Sequence, residues 1–158
     1  WLAHKHVYDV GWPTYRPNTM NPPANYLDVH KDRAKLEFPH VNVVVGTNDI
    51  ALPTADALWA AHKLGERKNV KDPDTGKPAT RNVYLRKITA LQARGAVFWM
   101  CDMALHSTSA EMGQELGRPA DDVYAEFVAA LLPGVKIVPA HTWAIAALQR
   151  QGFTYQKL

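Results

Sequence analysis

Cys101 is the chain's one cysteine, and its setting suits it to chemistry. It closes the apolar run Ala96-Val97-Phe98-Trp99-Met100, which reads as a buried strand, and helical periodicity resumes at residues 105–116. A thiol between a strand end and a following helix lies at the positive end of that helix's dipole, which favours the thiolate, the reactive form. One accessible thiolate is enough to accept and donate a sulfane sulfur as a persulfide, with no second cysteine required. The competing reading is a cysteine that merely ends a buried strand, since free cysteine is among the most buried residue types. Asp102 marks the end of the apolar run and adds a negative charge that opposes the thiolate.

His141, in Pro139-Ala140-His141-Thr142 after another strand-like run, is the expected catalytic companion, either as a positive neighbour or as a proton carrier, if the two strand ends are adjacent. The alternative for it is a solvated or capping histidine. Gly46, Thr47 and Asn48 follow a third strand-like run and, with Asp102, are the expected substrate-binding residues. Ligands gather outside the carboxyl ends of strands in an open parallel sheet. The segment Gly46-Thr47-Asn48-Asp49 can hold an anion but lacks the glycines of a dinucleotide or P-loop fingerprint, so no nucleotide cofactor is expected. Met103 and His106 beside Cys101 offer the thioether, imidazole and thiolate that suit copper. His4 and His6 alternate as neighbours on one face of a strand would. Both sets read better as structural or solvated groups than as metal ligands. Trp12, Tyr15, Trp59, Trp99 and Trp143 are expected in the core or in subunit contacts.

The elements that must position these residues follow from periodicity. Residues 1–40, with Pro13, Pro17, Pro22, Pro23 and Pro39, are expected to form an irregular arm holding at most a short helix over residues 26–38. From Val41 onward, short apolar runs alternate with helical patterns, which predicts one α/β domain over residues 41–158. This is a small, doubly wound, mainly parallel sheet with helices on both faces. Val41-Asn42-Val43-Val44-Val45 is a strand. A helix after Pro53 is expected to align Ala57, Leu58, Ala61 and Leu64 before Gly65 stops it. Residues 66–81 form an exposed loop around Asp72-Pro73-Asp74-Thr75-Gly76. Asn82 caps a helix stopped by Gly95, and Asp121 or Asp122 opens another. Val135-Lys136-Ile137-Val138 is a strand, Pro139-Ala140-His141-Thr142 leads into a helix that carries Ile145 and Leu148 and is closed by Gly152, and Phe153-Thr154-Tyr155 adds a short final strand.

At 158 residues and 47% hydrophobic, the chain is long enough to bury a core without disulfides or metals. A net charge of +3 without a Lys/Arg stripe does not point to nucleic acid. Apolar stretches such as residues 123–132 fall far short of the roughly 20 residues a transmembrane helix needs. The chain opens on Trp1 in a Trp-, His- and Pro-rich stretch, which leans the expectation toward an exported, periplasmic protein over a cytoplasmic one.

The second half of the chain carries a run of blocks: Tyr84-Leu85, then Leu91-Gln92-Ala93-Arg94-Gly95-Ala96-Val97-Phe98-Trp99-Met100-Cys101, then Pro133-Gly134-Val135, and finally Ala147-Leu148-Gln149-Arg150-Gln151-Gly152-Phe153-Thr154-Tyr155. In these blocks it resembles the DsrE-like sulfur-relay family. Val43-Val44-Val45-Gly46 is similar to that family's second strand and turn. The resemblance implies a flavodoxin-like three-layer sheet, assembly into homotrimers or hexamers, a donor or acceptor protein for sulfur, and a persulfide carried on Cys101. Beside that reading stand a non-catalytic binding or assembly subunit of the same fold and a small copper-type protein.

Overall fold

The computed structural model describes residues 3–11, 16 and 18–158. Its strands are β1 His4–Val10, β2 Val41–Thr47, β3 Val97–Cys101, β4 Lys136–Val138 and β5 Thr154–Lys157. They form one sheet of order β4-β3-β2-β1-β5, and every pairing is parallel. The helices are α1 Asn21–Val29, α2 Asp56–Ala61, α3 Leu64–Arg67, α4 Leu85–Ala93, α5 Asp102–Leu116, α6 Ala120–Ala129 and α7 His141–Arg150, with a π-helical turn at His30–Ala34. The result is a doubly wound, three-layer α/β fold of the flavodoxin-like type.

The winding follows from the strand order. From β1 to β4 the chain steps across the sheet in one direction, and right-handed crossovers therefore put α1 to α6 on one face. The connection from β4 returns to the far side of β1, which puts α7 on the other. Strand alternation fills both layers. Tyr8, Val10, Val43, Val45, Phe98 and Met100 pack with Leu27, Ile88, Leu105 and Phe127 of the larger layer. Val7, Val44 and Trp99 pack with Ala144 and Ile145 of α7. Because β2 is buried on both faces it reads as a continuous apolar run, as parallel strands do.

Two expectations need correction. The start of the chain is not an irregular arm throughout, because His4–Val10 pairs with β2 along its whole length and with β5 on its other side. The prolines that suggested irregularity all follow Val10, and Pro22-Pro23 occupy the first turn of α1, where a missing N–H is harmless. Gly65 does not stop a helix either. It lies within α3, where a Cβ would sit 2.1 Å from the carbonyl oxygen of Ala79, so the position is needed for close backbone approach. The preceding helix ends instead at Ala61, and Lys63 turns the chain through the left-handed region (φ 50°). Its buried stripe is Leu58 and Trp59, with Ala57 and Ala61 exposed.

The loop at residues 68–81 turns at Gly76 (φ 68°) and is largely exposed, with Val70 and Ala79 buried as its anchors. Asn82 lies just before α4, and its side-chain oxygen accepts the N–H of Tyr84 at 2.9 Å. Trp59 is fully buried, Trp99 is nearly so and Trp143 is exposed, while Trp12 and Tyr15 lie outside the described residues. Among the described residues, no helix is long and apolar enough to cross a membrane.

Candidate functional site

The strand order singles out one place in the sheet. The chain leaving β3 enters α5 on one face of the sheet, whereas the chain leaving the neighbouring β4 enters α7 on the other. Such a divergence marks the carboxyl ends of two strands as the switch point where ligands of open α/β sheets bind. Cys101 ends β3, pairs with Val138 of β4, and is the N-cap residue of α5. Its Sγ accepts the main-chain N–H of His141 at 3.3 Å. That N–H opens α7 and has no partner within its own helix, so the sulfur caps α7. The amino terminus of α7 thus faces the sulfur atom, on a residue that is 5% exposed.

The imidazole of His141 does not reach the sulfur. The indole N–H of Trp99 donates to its Nδ1 at 3.0 Å, and its Nε2 lies 2.7 Å from Oδ1 of Asp9. An indole N–H can only donate, so Nδ1 accepts, Nε2 carries the proton, and the ring is the neutral tautomer. The expected positive neighbour or proton carrier is therefore a positioning residue. Its ring is locked by Trp99 and Asp9, and it touches Cys101 through its backbone. Asp9 also accepts from the Tyr155 hydroxyl at 2.8 Å and lies 3.8 Å from the Lys157 ammonium. Burial pushes the Asp9 carboxyl upward. The hydrogen bonds from His141 and Tyr155 and the charge of Lys157 outweigh it and hold Asp9 below the usual carboxylate range. The hydrogen bond to Asp9 in turn raises the Tyr155 phenol.

Asp9, Trp99, Tyr155 and Lys157 were not legible as site residues. The available signal was the apolar cluster Val7, Tyr8 and Val10 before Gly11, with the acid Asp9 set among them. Gly11 places its Cα beside Asp9, Asn48 and Lys157: a Cβ there would lie 3.3 to 3.5 Å from a polar atom of each. Asn48 is exposed at this rim, so it is brought to the site. Gly46 is brought to it through Trp99, whose indole lies directly over the glycine backbone.

Other expected site residues lie elsewhere. Thr47 is buried in its own turn, accepting the Asp49 N–H at 3.0 Å. Asp102 accepts the Tyr124 hydroxyl at 2.7 Å and lies 3.7 Å from His106, whose ring stacks on Tyr124 at 4.0 Å. Met103 is 67% exposed. Cys101, Met103 and His106 are therefore not gathered, since the thiol is committed to α7 and the imidazole to α6. His4 and His6 lie toward the amino end of β1, at the opposite end of the sheet from Cys101. Among the described residues, no three His, Cys, Asp or Glu side chains gather to hold a metal ion.

The network has a pH signature. A carboxyl held below its unfolded value contributes stability that is present above that unfolded value and lost as pH falls through the folded one. Asp9→Asn keeps an acceptor for His141 but removes the charge. It is expected to lower stability by about 1–2 kcal/mol at pH 7, the scale of a charge-assisted hydrogen bond. The difference from wild type should shrink below about pH 4. Urea denaturation at pH 7 and pH 3 measures both; an equal difference at the two values would contradict the assignment.

Comparison with family models gives no match, and no curated protein matches either. Among solved structures the chain is similar to a protein of unknown function, MTH1491 from Methanobacterium thermoautotrophicum. The two are 16% identical with a TM-score of 0.54, over 98% of this chain and 99% of that one. At that identity the likeness establishes a shared α/β architecture along the whole chain and nothing of activity.

Proposed function

We propose that the protein is a sulfur carrier of the DsrE-like type in which Cys101 holds a persulfide. One observation carries the reading: Sγ of Cys101 accepts the N–H that opens α7, at the strand ends from which α5 and α7 diverge. Main-chain N–H groups at helix amino termini stabilise anionic sulfur, both as thiolate and as persulfide. In the loading step the Cys101 thiolate attacks the outer sulfur of a donor persulfide, R–S–SH. The new S–S bond forms at Sγ, the donor's S–S bond breaks, and its electron pair leaves on RS⁻. Delivery is the reverse attack, by an acceptor thiolate on the outer sulfur of loaded Cys101. Gly11, Asn48 and Lys157 border the site, and Asp9 and Trp99 hold His141 in place. The same reading includes a donor or acceptor protein and a homo-oligomer, with exposed Trp143, two residues beyond His141, as apolar surface for such contacts.

A second reading draws on the 5% exposure of Cys101: an inert thiol in a binding or assembly subunit. Two measurements separate them. The sulfur-carrier reading expects native protein treated with polysulfide to gain sulfur mass on Cys101, and Cys101 to be alkylated in the folded protein. A thiol that neither gains sulfur nor alkylates in the folded protein gives the second reading preference.

A further inference from the structure

We propose that His4 and His30 form a chelating site for a divalent transition-metal ion of the imidazole-binding class, such as zinc or nickel, at the amino end of the sheet. His4 opens β1, and His30 opens the π-helical turn that continues α1, so the two rings come from separate elements. Single π-helical turns recur at functional sites because the extra residue re-aims side chains. The ring centroids are 4.6 Å apart with planes inclined by 58°. A metal–nitrogen distance of about 2.0–2.1 Å places each ring centre about 3.2 Å from the ion. Two imidazoles at 90–109° around one ion therefore have centres about 4.5–5.2 Å apart. The observed separation falls in that range, so the two rings are spaced as ligands of one ion require.

The hydrogen bonding of His30 supports this assignment. Its Nδ1 lies 2.8 Å from the main-chain oxygen of Tyr26. A carbonyl only accepts, so Nδ1 carries the proton and Nε2 keeps its lone pair, which is how second-partner hydrogen bonds orient ligating histidines. His4 is exposed and His30 half-buried, which leaves a path for the ion. His6 lies on the same face of β1 and has the same polarity. Thr154 donates its hydroxyl to the Lys5 carbonyl, so its oxygen accepts from Nδ1 of His6, and the buried Nε2 has no partner. The Tyr26 ring packs against both His6 and His30, at 5.1 and 4.3 Å. His6 is therefore left out of the ligand set, and solvent completes the coordination of a two-histidine site.

A bound ion would tie the α1 segment to β1, so metal should raise the melting temperature in a concentration-dependent way. The test is calorimetric titration of the tag-free full chain with zinc and, separately, nickel, alongside thermal melts. One ion per chain is expected in the micromolar range, with no binding of magnesium, a hard cation that prefers oxygen ligands. His4→Ala and His30→Ala should each weaken binding at least tenfold and abolish the metal-dependent rise in melting temperature, while His106→Ala leaves both unchanged. Histidine ring resonances that shift or broaden with zinc should be those of His4 and His30. Unchanged affinity in either single variant, or no binding by wild type below millimolar metal, overturns the assignment.

Discussion

Cys101→Ser is expected to abolish sulfur uptake from polysulfide while leaving the fold in place. Serine occupies nearly the same volume, and its oxygen can still accept the His141 N–H, so α7 keeps its cap. The stability change is expected to stay within about 1–2 kcal/mol, the scale for exchanging one buried polar contact for another. Sulfur uptake should fall to background, because a hydroxyl is not ionised near neutral pH and cannot open a donor's S–S bond. Intact-protein mass after polysulfide treatment, with circular dichroism of the same samples, reads both quantities. A folded serine variant that still gains sulfur would place the chemistry elsewhere and remove the basis for the carrier reading.

Gly46→Ala should be the most damaging conservative change at the site. A Cβ at this position would lie 2.3, 2.4 and 2.6 Å from Nε1, Cε2 and Cζ2 of Trp99, well inside contact distance. Neither side can easily yield. β2 is a central strand held by β1 and β3, and the indole is packed with Val7, Val44, Ala144 and Ile145. Relief requires the indole to move, which breaks its hydrogen bond to His141 and leaves Nδ1 without its donor. Overpacking and the lost hydrogen bond together are expected to cost about 3 kcal/mol. Because His141 then loses one of its two anchors, the N–H on Sγ should loosen and Cys101 should alkylate faster. Urea denaturation, the indole N–H resonance of Trp99 and the alkylation rate check the three parts. Wild-type stability with an unmoved indole resonance would mean that Trp99 does not rest on Gly46.

Sequence by itself determined the α/β class, most elements after Val41, and Cys101 at the carboxyl end of its strand. Those features are local: apolar run length, helical periodicity, and glycines at positive φ such as Gly95 and Gly152. Tertiary structure decided what lies between the elements. β1 went unread because its alternation is interrupted by Asp9, an acid tolerated there only because His141 and Tyr155, more than 130 residues away in sequence, bond to it inside the fold. His141 was legible as a candidate, but its role was not. A pattern of residues cannot tell whether an imidazole or a backbone N–H will face a sulfur, and here Trp99 and Asp9 take both ring nitrogens. Asp102, Met103 and His106 are close to Cys101 in sequence yet are not gathered around its sulfur. A strand that passes directly into a helix redirects successive side chains, so adjacency along the chain is lost at the point where the site is built.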